Sequence, residues 1–170
     1  MPIQKSKTEA IKRFEEIRNI PYHISIDGEK GYNCENKAKM LVEELKRLGF
    51  EARIRVGLFC WSTLDLPVEV SQVSHDDDCS HMFVDFKNSD GNWVSIDPTW
   101  NPELEEAGFK IAYWDGEKST DLAIECHTIL LPEESEKYLQ KIDYVSDLQR
   151  NGEFYKALNA YCDSLLLEKK

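Results

Sequence analysis

The segment His81-Met82-Phe83-Val84-Asp85-Phe86-Lys87-Asn88-Ser89-Asp90-Gly91-Asn92-Trp93-Val94-Ser95-Ile96-Asp97 decides the reading of the fold. Two runs rich in aromatic and β-branched residues flank a polar, glycine-containing connection at 87–92, which predicts an antiparallel hairpin. His81 opens the first predicted strand. Asp97 ends the second, where Pro98 holds it in extended backbone. Antiparallel pairing then sets His81 and Asp97 side by side. Period-two alternation assigns His81, Phe83 and Asp85 to one face, and Met82, Val84 and Phe86 to the other.

Outward from the hairpin, Glu51–Leu58 alternates and predicts a central strand. Before it, Gly31-Tyr32-Asn33-Cys34 leads into a helical stripe of Ala38, Leu41, Val42, Leu45 and Leu48, with Gly49 as a left-handed stop. An earlier helix, capped by Ser6 or Thr8, carries Ile11, Phe14 and Ile17 and ends at Asn19-Ile20-Pro21. Tyr22–Ile26 reads as a short strand, 60–80 as a long polar loop, and 109–114 with 119–125 as a strand pair around Asp115-Gly116. After Pro132 two helices follow, the second with a stripe of Phe154, Ala157, Leu158, Tyr161 and Leu165. The expected fold class is α+β: a cysteine-bearing helix packed on an antiparallel sheet that carries His81 and Asp97, with extra C-terminal helices. One domain over 1–170 is expected, its core at about 20–125 and its C-terminal helices at about 132–168.

Composition narrows the function classes. With 170 residues, 41% hydrophobic and a formal net charge of −11, the chain can build a core but repels nucleic-acid phosphates. It shows neither an apolar leader nor a stretch long enough to span a bilayer, so a soluble, cytoplasmic protein with no membrane partner is expected. Cys34, Cys60, Cys79, Cys126 and Cys162 lack CxxC spacing and read as reduced thiols. His75-Asp76-Asp77-Asp78-Cys79-Ser80-His81 offers metal-ligand types without a second ligand pair. It is expected to be a solvated acidic loop bordering a cleft, attracting basic substrates, rather than a metal site.

Three residues carry the chemistry. A thiol at a helix start has its thiolate favoured by the helix dipole, and the free N–H groups there can receive an oxyanion. An imidazole, with an ordinary pKa near 6.5, suits proton exchange, and a carboxylate orients it. Cys34, His81 and Asp97 meet these requirements in order. The bland alternatives are a small buried cysteine, a half-exposed strand histidine and a turn-capping aspartate. His23, His75 and His127 are rival bases, but none opens a strand whose hairpin partner carries an aspartate.

The GYNC turn, the Leu48-Gly49-Phe50-Glu51-Ala52-Arg53 helix exit, the HMFVDF strand and the WVSIDPTW segment resemble the transglutaminase-like superfamily of papain-type cysteine enzymes over about residues 20–100. Phe83 stands where relatives often have Trp, Asn33 where many have an acidic residue, and no Gln precedes Cys34 as in papain-type peptidases. The resemblance implies a papain-like core and a Cys34-His81-Asp97 triad working through a thioester acyl-enzyme. It also implies a peptide or protein substrate and no metal or organic cofactor. Water as acceptor gives a peptidase, isopeptidase or deamidase; an amine gives crosslinking. A second oxyanion donor is expected from Tyr22, His23 or Tyr32, and Trp61, Trp100 and Trp114 are candidates to line a substrate groove. An arylamine N-acetyltransferase would need Arg-Gly-Gly before the cysteine, and a peptide:N-glycanase paired CxxC motifs; neither is present. The remaining alternative is an inactive peptide-binding module of the same fold.

Overall fold

The computed structural model describes residues 3–168 and is an α+β arrangement around a curled four-stranded antiparallel sheet. The elements in chain order are α1 (Ile3–Asn19), α2 (Cys34–Arg47), β1 (Ala52–Cys60), α3 (Val68–Ser71), β2 (Asp78–Lys87), β3 (Trp93–Ile96), β4 (Thr128–Ile129), α4 (Pro132–Gln140) and α5 (Tyr144–Glu168). The sheet order is β3-β2-β1-β4, so β1 and β2 form its centre.

Helix α2 forms where its sequence directs it. Asn33 is extended and caps it, accepting from Asn36 N at 3.1 Å, while Asn36 Oδ1 accepts from Asn33 N at 3.2 Å. This reciprocal box satisfies two of the donors a helix start leaves open. Gly49, at φ 91°, provides the left-handed exit. The inward face of α2 (Ala38, Leu41, Leu45) meets Phe14 of α1 and Val56, Val84, Phe86 and Ile96 of the sheet, all buried. Each such aliphatic or aromatic side chain contributes about 1.5–3 kcal/mol by leaving water. A second apolar cluster joins Phe154, Leu158 and Cys162 of α5 to Phe59, Trp61, Trp100 and Leu104.

The 87–92 turn closes the hairpin, with Asn88 N bonded to Asn92 O and Gly91 at φ 81°. Strand β2 is buried from His81 to Phe86. Its alternation holds at Met82, Val84 and Phe86, which join the core under α1 and α2, while Asp85 meets Arg53 and Arg55 of β1. However, β2 begins at Asp78, so His81 lies inside the strand rather than opening it.

Other expectations need correction. Helix α1 begins by Ile3, so Ser6 and Thr8 are interior residues and not caps. Tyr22–Ile26 is not a strand: it makes a single bridge, His23 with Tyr32. Several of its other backbone groups are taken by side chains instead. Asn159 accepts from Ile24 N and donates to Ile24 O, both at 2.9 Å, and Asn101 accepts from Tyr22 N. The 60–80 segment is not one open loop, since it contains a single-turn helix at Trp61–Thr63, helix α3 and the start of β2. No strand pair forms at 109–125. There, Ile111, Ala112, Trp114, Ala123 and Ile124 anchor an irregular chain by their side chains, and Arg18 binds the Ala112 carbonyl at 2.8 Å. Both C-terminal helices are present. Phe154 and Leu158 are fully buried, with Ala157, Tyr161 and Leu165 partly so.

Gly57 is where the sheet is tightest. It pairs with His81 on one side and Ile129 on the other, and a Cβ there would sit 2.5 Å from Cys126 Sγ. Gly57→Ala is expected to lower unfolding stability by about 1–3 kcal/mol through overpacking. Adding Cys126→Ala should recover part of the loss in urea titrations; a neutral Gly57→Ala would show that β4 does not close on β1 as described.

Candidate active site

Cys34, His81 and Asp97 reach one place from three elements. Cys34 is the first residue of α2 and is half-buried. In this position its N–H and that of Glu35 have no acceptor within the helix. His81 is fully buried on β2, and Asp97, also buried, directly follows β3. The β2–β3 register pairs Val84 with Ile96, so continuing it places Asp97 opposite Phe83 and diagonal to His81 rather than alongside it. The diagonal still closes: His81 Nε2 donates to Asp97 Oδ2 at 2.6 Å.

Asp97 is held on every side. Oδ2 also accepts from Ala123 N at 2.7 Å, and Oδ1 accepts from Thr99 Oγ1 at 2.5 Å and Thr99 N at 3.2 Å. Burial alone would raise its pKa, but the charge and hydrogen bond of His81, with Thr99 and Ala123, hold it below the ordinary 3.8. On His81 burial likewise opposes the charge. The Asp97 carboxylate and the Cys34 thiol outweigh it and place the imidazole well above its ordinary 6.5. Nδ1, the nitrogen left over from the Asp97 bond, is buried with no hydrogen-bond partner. The thiol therefore acts on the ring without having closed a full hydrogen bond to it.

Sequence reasoning missed the residue that ties the site together. Lys37 lies one turn after Cys34 and is fully buried. Its Nζ donates to Arg18 O at 3.0 Å, Ile20 O at 2.5 Å and Thr99 O at 2.9 Å. Burial draws its pKa down to about 7, against the pull of Asp97 and Glu103, yet three carbonyls match the three donors of an ammonium. The signal was available: position 37 falls on the inward face of α2, next to Ala38 and one turn before Leu41.

Cys34 and His81 open into a cavity of about 340 Å³, within the usual size for a small-ligand pocket. Tyr22, Trp61, Tyr144, Asp147 and Tyr155 form much of its wall, so α5 closes one side. Tyr22 is buried, and its hydroxyl makes no hydrogen bond among the described residues. Burial and the nearby thiols raise its pKa well above 10, so it stays a proton donor. The other oxyanion candidates are elsewhere: His23 is paired with Glu29 at 2.9 Å, and Tyr32 stands under Lys30 outside the cavity lining. Of the tryptophans, Trp61 lines the cavity. Trp100 is buried behind it and Trp114 packs between Phe14 and Phe86. Asp76, Asp77 and Asp78 are exposed, as expected of a solvated acidic loop, and they also have partners: Asp76 is bound to Arg150, Asp77 to Ser62 and Asp78 to the Cys60 thiol. Comparison with protein-family models, curated proteins and solved structures finds no match for the chain.

The His81–Asp97 pair makes stability depend on pH from both sides. The raised His81 value contributes fully below 6.5 and is lost as pH rises through the folded value. The lowered Asp97 value contributes above 3.8 and is lost as pH falls through the folded value. The pair is thus strongest between those ordinary values. Asp97→Asn is expected to cost about 3–5 kcal/mol and to move the His81 ring titration, followed by NMR, to lower pH. An unmoved titration would contradict the assigned pair. Separately, Lys37→Met keeps the stem but strands three carbonyls, and should cost about 2–4 kcal/mol in urea unfolding.

Proposed function

We propose that this chain is a cysteine-dependent amide hydrolase of the transglutaminase-like, papain type. The observation that carries the reading is one cavity lined by both a helix-start thiol and a buried imidazole, with the carboxylate bond on Nε2 and Nδ1 left free. That leaves the imidazole a proton-accepting edge toward the thiol and a fixed tautomer behind it.

In this mechanism the thiol proton resides on His81 and the sulfur adds to the substrate carbonyl carbon. Negative charge develops on the carbonyl oxygen, where the Cys34 N–H and the Tyr22 hydroxyl donate to it. As the intermediate collapses, the C–N bond breaks and His81 gives its proton to the departing amine. A thioester remains on Cys34. Water then attacks with His81 as base, the C–S bond breaks, and the acid leaves with the thiol restored. Asp97 keeps the ring oriented and its charged form favourable throughout. Water is the preferred acceptor by analogy with short predicted proteases of the superfamily; an amine in its place would give transamidation.

Incubation with a mixed peptide library, read by mass spectrometry, tests the reading. Wild type should cleave amide bonds, Cys34→Ala should abolish cleavage, and Tyr22→Phe should lower kcat by about 10²-fold while leaving KM little changed. If wild type cleaves nothing and binds peptides as Cys34→Ala does, the chain is instead a binding module.

A further inference from the structure

On the premise that Cys34 is the nucleophile, we infer that the α5 wall of its cavity, centred on Asp147, recognises a cationic group of the substrate: a lysine or arginine side chain or a free amino group. Besides His81, the charged residues lining this cavity among those described are Glu35 and Asp147, both carboxylates, with no Lys or Arg. Glu35 is engaged by Lys39 at 2.8 Å and by the Tyr144 hydroxyl. Asp147 is different: no cation forms a salt bridge with it among the described residues, and Arg150, one turn on along α5, is bound to Asp76 and acts on Asp147 only through its field.

The Asp147 carboxylate is oriented rather than loose. Oδ1 accepts from Asn151 Nδ2 and from the Tyr155 hydroxyl, each at 2.8 Å, and Oδ2 receives the same hydroxyl at 3.1 Å. Two polar neighbours thus aim the group while leaving Oδ2 with acceptor capacity. Tyr144, Tyr155 and Trp61 stand around the same space, and aromatic faces beside a carboxylate are a favourable setting for an ammonium or guanidinium. His81 and Cys34 line the same cavity, so a cation held at Asp147 would share the space of the reacting pair. The basic-substrate preference expected of the Asp76–Asp78 loop is thereby relocated, because Asp147 lines this cavity and none of those three carboxylates does.

The test needs no known substrate. Rates of Cys34 modification would be measured by peptide mapping with three methanethiosulfonates of shared chemistry: aminoethyl (cationic), methyl (neutral) and sulfonatoethyl (anionic). Wild type, Asp147→Asn, Asp147→Glu and Glu153→Gln would be compared; the last removes the same charge from an exposed site on the same helix. The expected result is a cationic-to-neutral rate ratio that falls about tenfold in Asp147→Asn and is kept in Asp147→Glu and Glu153→Gln. Equal ratios in all four proteins, or an equal fall in Glu153→Gln, would overturn the inference while leaving the nucleophile in place. A Cys34 unreactive to all three reagents would remove the enzymatic reading, and this inference with it.

Discussion

A carboxylate buried at 1% exposure is the constraint around which the site is built. Asp97 is charged in the interior, so each of its lone-pair directions needs a donor, and the donors come from separate stretches of chain. His81 arrives on β2, Thr99 lies two residues on, and Ala123 belongs to the irregular segment after the 115–118 turn. Thr99 is in turn gripped through its carbonyl by Lys37, which rides on the helix that begins with Cys34. Imidazole and carboxylate are therefore bonded in one polar network, to which the helix that begins with Cys34 is tied through Lys37, and removing His81, Thr99 or Lys37 leaves a buried group unsatisfied.

This network explains which parts of the structure could be read from sequence and which could not. Helix α2 and the β2–β3 hairpin carry strong local signals: a capping box, a glycine exit, period-two alternation and a glycine turn. Helix α2 formed where expected, and so did the hairpin, except that β2 starts three residues earlier, at Asp78, and Asp97 meets His81 diagonally. The Tyr22–Ile26 segment alternates just as convincingly, yet its backbone is satisfied by Asn101 and Asn159, which lie 79 and 135 residues away. Alternation at 109–125 likewise reflects side chains anchored in two clusters, not a ladder. Strand β4 is two residues long and has no periodicity to detect. Local pattern reports which side chains go inward; distant polar side chains decided what the backbone did.

Helix α5 acquires a role that its own sequence did not disclose. Its stripe packs Phe154 and Leu158 against Trp61 and Trp100, which places Tyr144, Asp147 and Tyr155 on the rim of the Cys34 cavity. The segments before residue 100 supply the thiol, imidazole and carboxylate, and the C-terminal helix supplies a cavity wall with its own charge. The three groups and the wall facing them thus come from different halves of the chain, joined by an apolar cluster that neither half completes alone.

The central claim is that Cys34 and His81 act as a pair in the resting protein. It is tested most directly by iodoacetamide alkylation against pH, with all five cysteines mapped by mass spectrometry in wild type and His81→Ala. The account predicts that Cys34 is labelled faster than the other four cysteines and that His81→Ala removes this preference. Slow, uniform labelling of the half-buried thiols, or preference for Cys60 or Cys79 with no effect of His81, would contradict it.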